Sequence, residues 1–165
     1  GIEEQNLCEI AEFACKYPVH VRFIEMMPIG YGSSFTGMSQ EKIVSLLEER
    51  FGRLVPYEGE PLGNGPCKYY IVKGFQGKIG FISAISHKFC SECNRIRLTS
   101  QGYLKTCLQY TAGRDLREVL RNGGTDEELK EIIKEALSEK PDGHHFREKA
   151  KEDDTESLCM AQIGG

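Results

Sequence analysis

Between Pro18 and Pro28 the chain carries Val19-His-Val-Arg-Phe-Ile-Glu-Met-Met27, a run that is nearly continuous in apolar character and rich in β-branched residues. A strand with one wet face alternates apolar and polar residues, whereas a strand covered on both faces does not, and such strands belong to parallel sheets. The flanks agree. Leu7, Ile10, Phe13 and Ala14 share one face of a helix over residues 4–16 that stops before Pro18. After a glycine-containing loop, Ser39 caps a second helix reaching about residue 50, with Ile43, Leu46 and Leu47 inward and Gly52 closing it. Helix, buried strand, loop, helix is an α/β fragment. The expectation is that its parallel neighbours lie outside this chain.

The character of the sequence changes near residue 54. Residues 58–66 are rich in glycine and proline and read as a loop. Residues 68–73 and 78–86 flank Gly74-Phe-Gln-Gly77 as a hairpin. Residues 95–99 and 103–108 flank Ser100-Gln-Gly102 as a second one. A short helix is expected over 114–121. Thr125-Asp-Glu-Glu128 is a capping box opening a helix to about residue 139, with Leu129, Ile132, Ile133 and Ala136 inward and Pro141 beyond its end. The organisation expected is therefore α/β passing to α+β: residues 1–53, a hairpin-rich α+β domain over 54–141, and a charged, mobile stretch with a tail over 142–165.

Charge and composition narrow the function. Twenty-one Lys and Arg against 25 Asp and Glu give a net charge of −4, which argues against a nucleic-acid or membrane-surface binder. No apolar run approaches the ~20 residues of a membrane span, and Gly-Ile-Glu-Glu is no signal peptide. A cytoplasmic chain is expected, and the absence of an initiating Met suggests a piece of a longer protein. In a reducing compartment the seven cysteines are not a disulfide framework. Cys8, Cys15, Cys67 and Cys159 stand apart from other cysteines and read as small buried hydrophobes.

Cys90, Cys93 and Cys107 are different. The first two form a C-x2-C turn, and the second hairpin returns Cys107 alongside them, so three thiolates converge. Spacing alone leaves three readings open. Zinc, with His87 completing a set of three cysteines and one histidine, stands slightly ahead. A 4Fe–4S cluster with one iron left open is the second, and three unconnected thiols the third. Arg95 and Arg97 alternate on the adjoining strand and project from one face, in a segment with four Lys or Arg and one Glu between His87 and Thr106. Guanidinium groups so placed suit phosphate.

The run Phe89-Cys90-Ser-Glu-Cys93-Asn94-Arg95-Ile-Arg97-Leu98-Thr99, followed by Gly102, Leu104 and Cys107-Leu108, closely resembles the second cluster motif of the GTP 3′,8-cyclase family, radical S-adenosylmethionine enzymes of molybdenum cofactor biosynthesis. Arg22-Phe-Ile-Glu25-Met-Met27 is similar to that family's last barrel strand, and the terminal Gly164-Gly165 matches its ending. The resemblance implies a partial (β/α)6 barrel, of which this chain holds the last helix, strand and helix, followed by a small C-terminal domain. It implies that Cys90, Cys93 and Cys107 hold a second 4Fe–4S cluster whose open iron meets the purine of GTP, which displaces zinc. It also implies that Arg95, Ile96 and Arg97 contact GTP, that Met27 contacts S-adenosylmethionine, and that Arg22, Arg95, Arg97, Gly164 and Gly165 serve catalysis. The product would be (8S)-3′,8-cyclo-7,8-dihydroguanosine 5′-triphosphate.

One departure is large. Family members carry a C-x3-C-x2-C motif for a first 4Fe–4S cluster and S-adenosylmethionine, and this sequence has none: Cys8 and Cys15 are separated by six residues. The chain is thus expected to be inactive alone and to need an N-terminal half, in cis or as a separate chain. Its unpaired barrel edge would take that half as partner, or a second copy in a homodimer. The rival readings are a zinc-stabilised binding module and a ferredoxin-like electron carrier.

Overall fold

The computed structural model describes residues 4–146, 156–158 and 160–163. By compactness the chain falls into two units, one running to Met27 and including Phe35–Phe89, the other made of Pro28–Ser34 and the residues from Cys90 onward.

The first unit is a mixed sheet with two helices. It contains α1 (Glu4–Lys16), β1 (Val21–Ile24), α2 (Gln40–Phe51), β2 (Leu54–Pro56), β3 (Lys68–Val72) and β4 (Ile79–Ile82). The strand order is β1-β4-β3-β2. β3 and β4 form the expected antiparallel hairpin, with Tyr70 opposite Ile79 and Lys68 opposite Phe81. Gly74 takes φ +87 in the turn, a backbone conformation that costs little without a Cβ. α2 starts on Ser39, whose side chain accepts from the Lys42 amide, and Gly52 closes it at φ +85.

The readings of β1 and of the inward face of α1 need correction here. β1 does have a parallel neighbour in this chain, since Val21 pairs with Ile79 and Ile24 with Ile82. The sequence pattern could not reveal it, because β4 is reached only after α2, β2 and β3. β1 is not covered on both faces: Val21 and Phe23 are buried, but Arg22 and Ile24 are exposed. The buried face packs with Ile79, Phe81, Val72 and Leu54 against Leu7, Ala11 and Ala14 of α1 and Ile43 and Leu47 of α2. The inward stripe of α1 is therefore turned towards Ala11, leaving Ile10 and Phe13 exposed. Small residues there let the helix approach: Gly77 donates to the Ala14 carbonyl at 2.8 Å. The compositional change near residue 54 falls inside this unit, because β2 pairs with β3 and β3 with β4.

The second unit holds a three-stranded antiparallel sheet, β5 (Arg97–Leu98), β6 (Tyr103–Lys105) and β7 (Gly113–Asp115), with α3 (Leu116–Arg121) and α4 (Asp126–Ser138). The second hairpin is present but short, and Gly102 turns it at φ +80. The helix expected from 114 begins at Leu116, since residues 113–115 add a strand to β6 and Asp115 then caps the helix through the Glu118 amide at 3.0 Å. The capping box of α4 is complete: Thr125 Oγ1 accepts from the Glu128 amide at 3.2 Å, and Glu128 accepts from the Thr125 amide at 2.7 Å. Of the stretch after residue 142 expected to be mobile, residues 147–155 lie outside the described residues, and His144 and Glu156 are buried. Among the described residues no helix is long and apolar enough to cross a membrane.

Candidate functional site

The C-x2-C turn lies at the start of the second unit. Residues 90–92 form a single 3-10 turn, and the Cys93 amide donates to the Cys90 carbonyl at 3.1 Å. Cys90, Cys93 and Cys107 are free and half-buried, so they are neither locked in disulfides nor sealed from a ligand.

One short segment neighbours all three. The chain leaving α4 puts Lys140 Nζ 2.6 Å from the Cys93 carbonyl oxygen and 3.6 Å from Cys93 Sγ. Two residues past Pro141, a Cβ built on Gly143 would stand 3.7 Å from Cys90 Cβ and 3.8 Å from its Sγ. Glu139 and Pro141 line a cavity of about 30 Å³ together with Cys107, Thr106 and Tyr110. The hairpin and the end of α4 thus gather three thiols along one stretch of backbone.

Among the described residues no three His, Cys, Asp or Glu side chains are arranged round a point where one metal ion would sit. Ligands of a single ion crowd one centre at ~2.3 Å from each sulfur. A cluster is held by thiolates that each bind a different iron, and three free, half-buried thiols along one stretch of backbone are donors of the kind it takes. His87, the fourth ligand in the zinc reading, belongs to the first unit, where its ring lies 3.8 Å from Glu41 and 3.1 Å from Ser86 Oγ.

The arginines adjoin the turn. Arg97 opens β5 and is half-buried, while Arg95 and Ile96 precede the strand and are exposed. Burial and then the neighbouring Arg95 charge push the Arg97 guanidinium below its usual pKa, with Cys93 acting the other way. Two guanidinium groups two residues apart, one of them half-buried, next in sequence to half-buried thiols suit an anion.

Arg22 and Met27 belong to the first unit. Arg22 stands on the sheet face opposite the core, 5.9 Å from the centroid of the Tyr69 ring, and Met27 is half-buried just past the end of β1. Cys67, read from the sequence as a bland cysteine, sits on the same face against Gly80, where burial pushes its thiol pKa up. An inert thiol fits that setting. Gly164, Gly165 and Cys159 lie outside the described residues. Among the apolar residues near the end of the chain, Ile163 is fully buried, Met160 is half-buried and Leu158 is exposed. The anchor that the sequence did not reveal is Glu156, paired with Lys105 in the interior. Lys140 was missed as well. Nothing in its local sequence distinguishes it from other charged residues near a helix end.

The family model for Molybdenum Cofactor Synthesis C matches residues 19–146, and the chain belongs to that family. Its relatives carry a more particular name. The chain is 45% identical over 163 residues to a GTP 3',8-cyclase of Clostridium perfringens, a match covering 98% of this chain and 49% of the relative. It is 40% identical over 168 residues to a GTP 3',8-cyclase of Syntrophomonas wolfei, and 39% identical to one of Desulforamulus reducens, each match covering 100% of this chain and 50% of the relative. The chain therefore spans about half the length of the curated relatives it matches.

Proposed function

We propose that this chain is the C-terminal, substrate-binding half of a GTP 3′,8-cyclase and that Cys90, Cys93 and Cys107 hold its second 4Fe–4S cluster. The observation that carries this is the gathering of the three thiols along residues 139–143, beside Arg95 and Arg97. Relatives named for a GTP cyclisation supply the substrate. When bound, a cluster held by three thiolates offers an open iron to a donor atom of the guanine base. The chain's own residues do the positioning. The 90–93 turn and β6 fix where the base can sit, and the paired guanidinium groups of Arg95 and Arg97 hold the phosphates, with Ile96 between them. An anion so held, close to low-dielectric surroundings, is oriented at no further cost during reaction.

The remainder of the site requires more chain. No C-x3-C-x2-C motif is present, so S-adenosylmethionine and the first cluster would come with an N-terminal half. Among the described residues β1 is paired on one side only, and Ile24 faces outward at 61% exposure, which suits the last strand of a partial (β/α)6 barrel. On this reading Met27 contacts S-adenosylmethionine, Arg22 lines the barrel's interior, and Gly164 and Gly165 reach the reacting centre from a tail anchored by Ile163.

The test is iron and acid-labile sulfide per chain after anaerobic reconstitution. Replacing Cys90, Cys93 or Cys107 with Ala should sharply reduce bound iron, and Cys67→Ala should not. Equal loss in Cys67→Ala would show the ligand set to be wrong. One zinc per chain in place of iron would favour the binding-module reading.

A further inference from the structure

Lys140 has an arrangement that its position in the sequence does not explain. Its backbone amide closes the end of α4 on the Leu137 carbonyl at 3.2 Å. Its side chain leaves the helix and crosses to a turn 47 residues earlier in the chain. There Nζ lies 2.6 Å from the Cys93 carbonyl, 2.9 Å from the Arg95 carbonyl and 3.6 Å from Cys93 Sγ. An ammonium group has three donors, and all three are directed into this turn. The lysines of α4 itself behave differently: Lys130 and Lys134 pair with Glu127 and Glu131 one turn away on the exposed face.

We propose that Lys140 is the positioning residue of the candidate cluster site, holding the 90–95 turn by two carbonyls and setting its charge against the Cys93 sulfur. The inference rests on the reading that Cys93 is a cluster ligand. Two consequences follow from the geometry. Fixing the carbonyls of Cys93 and Arg95 fixes the peptide planes between them, and with them the directions in which Cys93 and Arg95 project. A cation donating towards a ligand sulfur also draws electron density from the centre that the sulfur holds. Hydrogen bonds to ligand sulfurs and nearby charge are known levers on cluster potential. Lys140 therefore acts through Cys93 and touches no substrate.

The test uses the whole chain in two states. In cluster-free protein, Lys140→Met should raise amide hydrogen exchange across residues 90–95 by roughly tenfold, as expected when charge-assisted bonds to a turn are lost. Exchange in β6 should stay at the wild-type rate, and Lys134→Met should alter neither region. Wild-type exchange in the turn of Lys140→Met overturns the proposal. After anaerobic reconstitution, the midpoint potential followed by EPR should move to more negative values in Lys140→Met and return in Lys140→Arg, which restores the charge. Iron lost from the Met variant but kept by the Arg variant also supports it. Equal potentials in all three proteins, or an Arg variant as low as the Met variant, overturn it. Cys93→Ala separates this from the reading beneath it. If that variant takes up as much iron as the wild type, the cluster assignment fails, while the exchange measurement still decides whether Lys140 holds the turn.

Discussion

Replacing Lys105 with Met should destabilise the second unit more than any surface change, for a reason that can be followed atom by atom. The Lys105 and Glu156 side chains are 3% and 4% exposed and form an ion pair across 51 residues of sequence. Lys105 Nζ also donates to the Tyr110 carbonyl at 2.7 Å, and the other Glu156 oxygen accepts from the Leu158 amide at 2.8 Å. The Glu156 amide donates to the Gln109 carbonyl at 2.6 Å, and the buried Gln109 side chain accepts from the His145 amide at 2.6 Å. The pair is thus the centre of a network fastening the segment after residue 155 to the loop beyond β6. Removing one partner of such a pair leaves a buried charge uncompensated and costs about 3–5 kcal/mol. For a chain of this size that lowers Tm by roughly 6–20 °C. Burial raises the Glu156 pKa, but the hydrogen bonds from Lys105 and Leu158 and the Lys105 charge outweigh it and hold the carboxyl below its ordinary value. A depressed carboxyl contributes stability above its unfolded pKa and loses it as pH falls through the folded one. The deficit of Lys105→Met should accordingly be full at pH ~7 and narrow below pH ~4.5, where the wild type loses the pair and the variant's carboxyl neutralises. The double variant Lys105→Met with Glu156→Leu should recover much of the loss, since an apolar pair needs no counter-charge. Urea unfolding followed by circular dichroism measures this. A deficit under ~1 kcal/mol at neutral pH, one that stays constant with pH, or a double variant weaker than the single would refute the reasoning.

Three further outcomes are expected. Gly77→Ala should cost more than ~2 kcal/mol in thermal or urea unfolding, because its Cβ would meet the Val19 carbonyl oxygen at 1.7 Å and one backbone must move. Thr125→Ala should cost ~1 kcal/mol through loss of the α4 cap, with Thr125→Ser close to wild type. In a full-length enzyme, Arg95→Ala and Arg97→Ala should keep both clusters yet weaken GTP binding or block cyclisation, the half-buried Arg97 having the larger effect. Binding by the wild type should weaken with ionic strength. Unchanged GTP affinity and product formation in both variants would remove the arginines from the site.

What the sequence determined by itself was local. The caps at Ser39 and Thr125 act within a few residues, the second as part of a capping box, whereas the Asp115 cap emerged only with the strand that precedes it. The β3–β4 hairpin was legible because its turn chemistry and its strands lie within one short window. The cysteine spacing and the long run around it were enough to indicate the family, because a ligand turn keeps its residue types in sequence order. The tertiary structure decided which elements meet. β1 chooses β4 as its parallel neighbour, and one face of β1 stays open, because packing against α1 and α2 supplies apolar partners on one side alone. The crossing of Lys140 to Cys93 and the burial of Glu156 on Lys105 join residues far apart along the chain. A lone lysine or glutamate has no periodicity or turn preference that announces a distant partner. Its placement depends on where the whole second unit leaves a carbonyl, a sulfur or an opposite charge without water.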